Sequence, residues 1–310
     1  MSGTHAAGPW HSRRHRLALG RPLADGSQEL AWHGAALVGI VNVTPDSFSG
    51  GGHLAAGDTA SGHERAVEHG LRLAREGALI VDVGGESTRP GAREVSADEE
   101  LERVLPVIEA LAREGLVLSV DTRKPTVARA ALAAGARIVN DVGGLRDEEM
   151  TRVCVECGAP AIVMHMQGEP ATMQQSPAYD DVVAEIGAFL TATAERAAAA
   201  GVPDVVIDPG IGFGKTVRHN LALLVATETF AATGRTVLIG ASRKGFIDAV
   251  ATVPRAVERL GGSIAVHLAC ARRGAALLRV HDVEQHRQAL LLDAAMAEAE
   301  ASGLPYSGSR

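Results

Sequence analysis

Short apolar runs rich in Val, Ile and Leu recur along the chain, each stopping at a polar residue or a glycine. Between them lie longer stretches in which apolar positions return every three or four residues. Eight runs can be read: Ala36–Val43, Ala78–Val83, Val117–Asp121, Arg137–Asp141, Ala161–His165, Asp204–Asp208, Thr236–Ala241 and Ala276–His281. Near-continuous apolar runs of this length predict strands buried on both faces. The intervening stretches, such as Asp98–Arg113, Tyr179–Ala200 and Arg255–Arg273, predict helices, and Pro125 marks a helix start. Strand and helix alternating eight times in about 270 residues predict an α/β fold of the (β/α)8 TIM-barrel type. An open doubly wound sheet is the rival, but the Gly-rich phosphate turn expected after its first strand is absent. Residues 16–32 precede the first barrel strand and predict a hairpin that closes the barrel bottom. The expected organisation is a flexible leader over 1–15, one barrel domain over 16–302 and a flexible tail over 303–310.

In such a barrel the chemistry sits at the C-terminal ends of the strands. Here every end is polar: Asn42, Asp82, Asp121, Asn140 with Asp141, His165, Asp208, Ser242-Arg243-Lys244, and Arg279 with His281 and Asp282. One or two such ends are ordinary helix caps; a complete set is not. Arg243, Lys244, Arg279 and His281 predict an anion site behind the last two strands. Asp82, Asp121, Asn140 and Asp208 predict acceptors for a flat heterocycle rich in N–H groups, since buried carboxylates need partners. The loop Gly210-Ile-Gly-Phe-Gly-Lys215 has neither Walker nor dinucleotide spacing, and Phe213 is either a stacking partner for a ring or a plain hydrophobic plug.

Composition sharpens this picture. The 30 basic residues against 37 acidic ones give a net charge of -7, so no global field favours nucleic acid or an anionic membrane. Only three of the basic residues are lysines, Lys124, Lys215 and Lys244, and each follows a predicted strand end. Lys244 ranks first as a functional group, Lys215 as a shaper of the glycine loop, and Lys124 as the product of composition alone. Three cysteines make no disulfide framework and suggest a reducing compartment; Cys154 and Cys157 read as two thiols on a helix face. No apolar run is long enough to span a membrane, and the cytoplasm is the default location.

Eight segments in order then carry a resemblance. Asn42-Val-Thr-Pro-Asp-Ser-Phe-Ser49, Asp82-Val-Gly-Gly-Glu-Ser-Thr-Arg-Pro-Gly-Ala92, Ser119-Val-Asp-Thr122, Asn140-Asp141, Asp208-Pro-Gly, Gly212-Phe-Gly-Lys215, Ser242-Arg-Lys244 and Arg279-Val-His-Asp282 together resemble the dihydropteroate synthase family over residues 36 to 290. The resemblance implies condensation of 7,8-dihydropterin pyrophosphate with p-aminobenzoate, both small molecules, in folate biosynthesis. It implies Asp121, Asn140, Asp208 and Lys244 around the pterin, Mg2+ at Asn42, and Asn42, Arg279 and His281 around the pyrophosphate. Asp46 with Ser47 and Phe48 belongs to a first mobile loop, Thr88 and Arg89 to a second, with Phe213 and Lys244 on the p-aminobenzoate wall. Lys244, Arg279, His281, Asp121 and Asp46 are the implied catalytic set. A homodimer and a sulfonamide-binding site are further implications. The chain departs from the family at Gly50, where Asp is usual, and at Gly245, where Ser or a larger residue is common. The Gly261-Gly-Ser263 helix start differs mildly. Competing readings are a pterin-binding paralogue without turnover, a methyltetrahydrofolate methyltransferase on the same barrel, and an aldolase using Lys244 as a Schiff base.

Overall fold

The computed structural model describes residues 10–23, 25–44, 59–87, 94–170 and 172–302. Two antiparallel strands come first, β1 (Arg14–Ala18) and β2 (Glu29–His33), paired from Arg14 with His33 to Ala18 with Glu29. Eight parallel strands follow: β3 (Ala36–Asn42), β4 (Ala78–Gly84), β5 (Leu118–Asp121), β6 (Ile138–Asp141), β7 (Ala161–Met164), β8 (Val205–Asp208), β9 (Thr236–Ile239) and β10 (Leu277–Val280). They pair in chain order, and β10 closes on β3. The expected (β/α)8 barrel is therefore the observed one.

The helices are α1 (Thr59–Glu76), α2 (Ala97–Arg113), α3 (Pro125–Ala134), α4 (Glu148–Cys157), α5 (Val182–Ala200), α6 (Val217–Val225), α7 (Thr227–Ala231), α8 (Gly245–Ala251), α9 (Leu260–Arg272) and α10 (Val283–Ser302). Local chemistry sets several starts. Ser96 accepts from Glu99 N ahead of α2, and Pro125 opens α3, where a missing N–H costs nothing. The predicted helix over Arg255–Arg273 is shorter, a 3-10 turn at Ala256–Glu258 followed by α9. Arg259 occupies the junction, donating to the carbonyls of Val253 and Pro254.

Residues two apart on a strand share a face, so the barrel interior is filled in layers. Val38, Ile80, Ile138, Ile162, Val206, Leu238 and Leu277 form the lower layer, and Leu17, Leu30 and Trp32 of the hairpin pack against it from below. Trp32 Nε1 donates to Ala276 O at 3.1 Å, satisfying a buried indole and pinning the hairpin to the barrel. Two residues further along four of these strands stand Asp82, Asn140, Asp208 and Arg279. The same period that buries the apolar layer lifts these polar side chains into the mouth. A second apolar shell, including Leu73, Val104, Ile108, Leu132, Leu190 and Phe230, fills the space between strands and helices.

Candidate active site

At the centre of the mouth is Arg279, whose side chain is 21% exposed. Its Nε donates to Asp82 Oδ2 at 2.7 Å and its Nη2 to Asp121 Oδ2 at 2.6 Å. Burial works against this charge, and the two carboxylates outweigh it and keep the guanidinium protonated. Asp82 is wholly buried and also accepts from Ser119 Oγ at 2.5 Å and Asn140 Nδ2 at 3.0 Å. Asp82 is therefore not a free acceptor of the mouth, as its strand-end position suggested. It is the buried hub that orients Arg279 and Asn140, because a fully desolvated carboxylate is tolerable only with partners of this kind.

Asp121 has one guanidinium bond, and burial pushes its carboxyl up to about 7, with the Asp82 charge adding to the rise and Arg279 opposing it. Asp208 accepts from Gly210 N at 2.7 Å and is likewise raised by burial. Asp141, in contrast, folds back: its carboxylate accepts from Gly143 N and Leu145 N at 2.7 and 2.8 Å and shapes the turn after β6.

Across from these acceptors, Lys244 precedes α8. Its Nζ donates to Ile211 O and stands 4.1 Å from the centre of the Phe213 ring, a cation–π contact. Burial pushes this ammonium down to about 8, partly offset by the charge of Asp208. Phe213 packs against Val142, Met164, Met166 and Met173, an apolar wall that strand-end reasoning missed and that only the scarcity of methionine could have flagged. His281 N donates to Ser242 Oγ at 3.3 Å, and His281 Nδ1 lies 3.0 Å from the same hydroxyl. Asn42 ends β3. Asp46, Thr88 and Arg89 lie outside the described residues, as does Gly50.

Three further expectations are corrected. Arg243 does not join the anion site: it forms a two-pronged ion pair with Asp282, including Nε to Oδ2 at 3.0 Å. Lys124 is not a product of composition. Its Nζ bridges Glu86 at 2.7 Å and Glu100 at 2.6 Å, and Glu100 is fully buried. His165 is taken up by neighbours within the fold: its ring meets that of Phe189 edge-on with centroids 5.0 Å apart, and burial and the Lys215 charge push it down to about 3, so its Nδ1 accepts from Lys215 Nζ at 3.2 Å. Lys215 keeps the role expected of it, tying the glycine loop through Phe213 O at 2.8 Å to the residue after β7 through His165 O at 3.2 Å.

Comparison with known proteins agrees with this geometry. Residues 38–281 match the family described as pterin binding enzyme. The dihydropteroate synthase of Escherichia coli K12 is 44% identical over 257 residues, covering 82% of this chain and 89% of that one. Dihydropteroate synthase from Xanthomonas albilineans, solved with 4-aminobenzoic acid, is 44% identical with a TM-score of 0.81, over 93% of this chain and 100% of that one. The Thermus thermophilus enzyme, solved in complex with 6HMPPP, is 43% identical with a TM-score of 0.76, over 91% of this chain and 100% of that one. With its barrel, its ring of polar strand ends and this breadth of likeness, the chain belongs to the pterin-binding enzymes and, among them, to the dihydropteroate synthases.

Proposed function

We propose that the chain condenses 6-hydroxymethyl-7,8-dihydropterin diphosphate with p-aminobenzoate, giving 7,8-dihydropteroate and pyrophosphate. One observation carries the assignment of roles. Acceptors from β5, β6 and β8 face a cationic side from β10 and the start of α8, so a polar heterocycle and its anionic substituent find complementary partners in one mouth. Asp121, Asn140, Asp208 and Lys244 are assigned to the pterin. Arg279 presents its plane fixed by two carboxylates, and its Nη1 makes no bond among the described residues. With His281 and Asn42 it is assigned to the diphosphate.

The C–O bond of the pterin methylene breaks as pyrophosphate departs, and the amine of p-aminobenzoate attacks the methylene and releases its proton. Arg279 and His281 stabilise charge on the departing group, while Asp121 and Asp208 lie on the side where the pterin becomes cationic. Phe213 and the methionine wall exclude water, which would otherwise capture that cation. Asn42 ends β3 and offers one side-chain amide oxygen, and Mg2+, which keeps several waters and shares its site with substrate phosphates, needs few protein oxygens, so Asn42 is assigned to it. When bound, it neutralises charge on the diphosphate.

Among the described residues no helix is long and apolar enough to cross a membrane. Free thiols at Cys154, Cys157 and Cys270 support placing the enzyme in the reducing cytoplasm. Val225 on α6, Val250 on α8 and Leu292 on α10 are 64%, 62% and 65% exposed. All three helices pack against α9, and these exposed apolar residues support a homodimer through that side. The deciding experiment incubates purified protein with the dihydropterin diphosphate, p-aminobenzoate and Mg2+. Stoichiometric pyrophosphate and dihydropteroate are expected; no product above background refutes the reading and leaves a binding paralogue.

A further inference from the structure

The turn after β9, Ala241-Ser242-Arg243, immediately precedes Lys244 and is held in an unusual way. Arg243 adopts a positive φ of 59°, a conformation a bulky residue takes only when its surroundings impose it. Arg259, just ahead of α9, and Ser263 and His267 within it supply that constraint, since a spacing of four places them along one side of the helix. Arg259 Nη1 donates to Arg243 O at 3.1 Å, Ser263 Oγ accepts from Arg243 N at 2.9 Å, and His267 Nε2 accepts from Ala241 N at 3.2 Å.

From His267 the chain of bonds continues to α10. His267 Nδ1 and His286 Nε2 are 2.9 Å apart, and His286 Nδ1 is 2.7 Å from Asp282 O. The carboxylate of Asp282 in turn holds Arg243, closing a ring that starts and ends on the turn before Lys244. The polarity of this ring is fixed at both ends. A backbone N–H can only donate, so His267 Nε2 carries no proton and Nδ1 must; that proton points at His286 Nε2. A carbonyl can only accept, so His286 Nδ1 carries the second proton. Both rings are then neutral in the same tautomer. The carbonyls of Ile239 and Ser263 also face the two rings, and burial, the first cause in each case, still lowers both basicities. The two histidines are 1% and 2% exposed, so water cannot substitute for either bond.

We infer that His267 and His286 form a neutral relay of fixed tautomer that locks the loop carrying Lys244 to the loop carrying His281, making them positioning residues for binding of the dihydropterin diphosphate. A bond lost in the relay leaves the two loops tied only by the Ser242–His281 and Arg243–Asp282 contacts, and displacement of a binding group by about 1 Å is costly. The inference rests on the roles proposed for Lys244 and His281, and its test separates the two questions.

Imidazole nitrogen NMR on the full-length wild-type protein at pH 7 reads the tautomers without turnover. Protonated Nδ1 and bare Nε2 are expected on both rings; the opposite tautomer or a charged ring overturns the relay. Titration with inorganic pyrophosphate and steady-state kinetics then compare His267→Leu with His267→Gln. The leucine variant is expected to weaken pyrophosphate binding and raise KM for the dihydropterin diphosphate on the order of tenfold. The glutamine variant keeps an acceptor for Ala241 N and should recover part of that loss. A leucine variant that only melts earlier, or a glutamine variant equally impaired, overturns the positioning role.

Discussion

Replacing Lys244 by Arg keeps the charge and changes its shape. The lysine stem is confined: its Cδ lies 3.0 Å from where a Cβ on Gly212 would stand, and its ammonium rests 4.1 Å above the Phe213 ring. A planar guanidinium is wider than an ammonium and cannot keep that point, so its donors shift by about 1 Å, a displacement worth on the order of 10²-fold in rate. The expected fall in kcat/KM is therefore about a hundredfold, roughly 3 kcal/mol of lost transition-state stabilisation. A second signature comes from protonation. Burial lowers Lys244 from 10.5 to about 8, so its cationic role is intact below that pH and fades as pH rises through it. At pH 9 about a tenth of the ammonium remains, and kcat/KM, which reports the free enzyme, should fall about tenfold from its plateau. The arginine variant should lose that alkaline limb, because a guanidinium stays protonated beyond pH 12. The assay is initial pyrophosphate release between about pH 6 and 9.5 under limiting dihydropterin diphosphate. Near-normal kcat/KM in the variant, or an unchanged alkaline limb, refutes the role assigned to Lys244.

Removing Lys124 with Lys124→Met leaves the buried Glu100 without its cation and Glu86 with Arg123 alone, and denaturant unfolding should show a loss of about 3 kcal/mol, the low end for a broken buried pair because the lysine is 17% exposed. Glu86 titrates below its ordinary 4.5: burial alone would raise it, but Lys124 and Arg123 outweigh that. Its stabilising contribution is thus present above 4.5 and lost as pH falls through the native value, so the variant should unfold with a shallower acid dependence than wild type. An Asp82→Asn substitution should raise KM for the dihydropterin diphosphate while sparing that for p-aminobenzoate, because Arg279 loses one of its two anchors; equal rises in both would show general collapse of the mouth. At Gly245 a side chain would meet nothing within 4 Å, so Gly245→Ser should fold normally and lower KM for p-aminobenzoate about fivefold, as one added hydrogen bond to a carboxylate allows. An unchanged KM would remove the first turn of α8 from that subsite. Val225→Glu combined with Leu292→Glu should yield a monomer by light scattering, and a persistent dimer would move the interface elsewhere.

Much of this was legible along the chain. Apolar runs with period-two facing and helical stretches between them leave a closed parallel barrel as the economical way to bury both sheet faces, and the order of the runs fixes which residues end the strands. The family signature adds the substrate class, and the rarity of lysine drew notice to Lys244 and Lys215. Pairing at the strand ends is another matter. Arg279 and its anchors are 197 and 158 residues apart, and no local pattern says that Asp82 is consumed beneath the mouth while Asp121 remains at its surface. Both are Asp at the end of an apolar run; barrel closure puts one a layer lower, where it must be fully partnered. The same holds for Arg243, which sits beside Lys244 yet faces Asp282, and for Lys124, whose carboxylates come from α2 and the loop after β4. His267 and His286 carry no motif at all, and their shared proton order exists only because α9 and α10 pack side by side. Local periodicity records which face a residue takes, whereas the partner of a buried charge is set by strands and helices distant in the chain, and that pairing separates the groups that meet substrate from the groups that hold them in place.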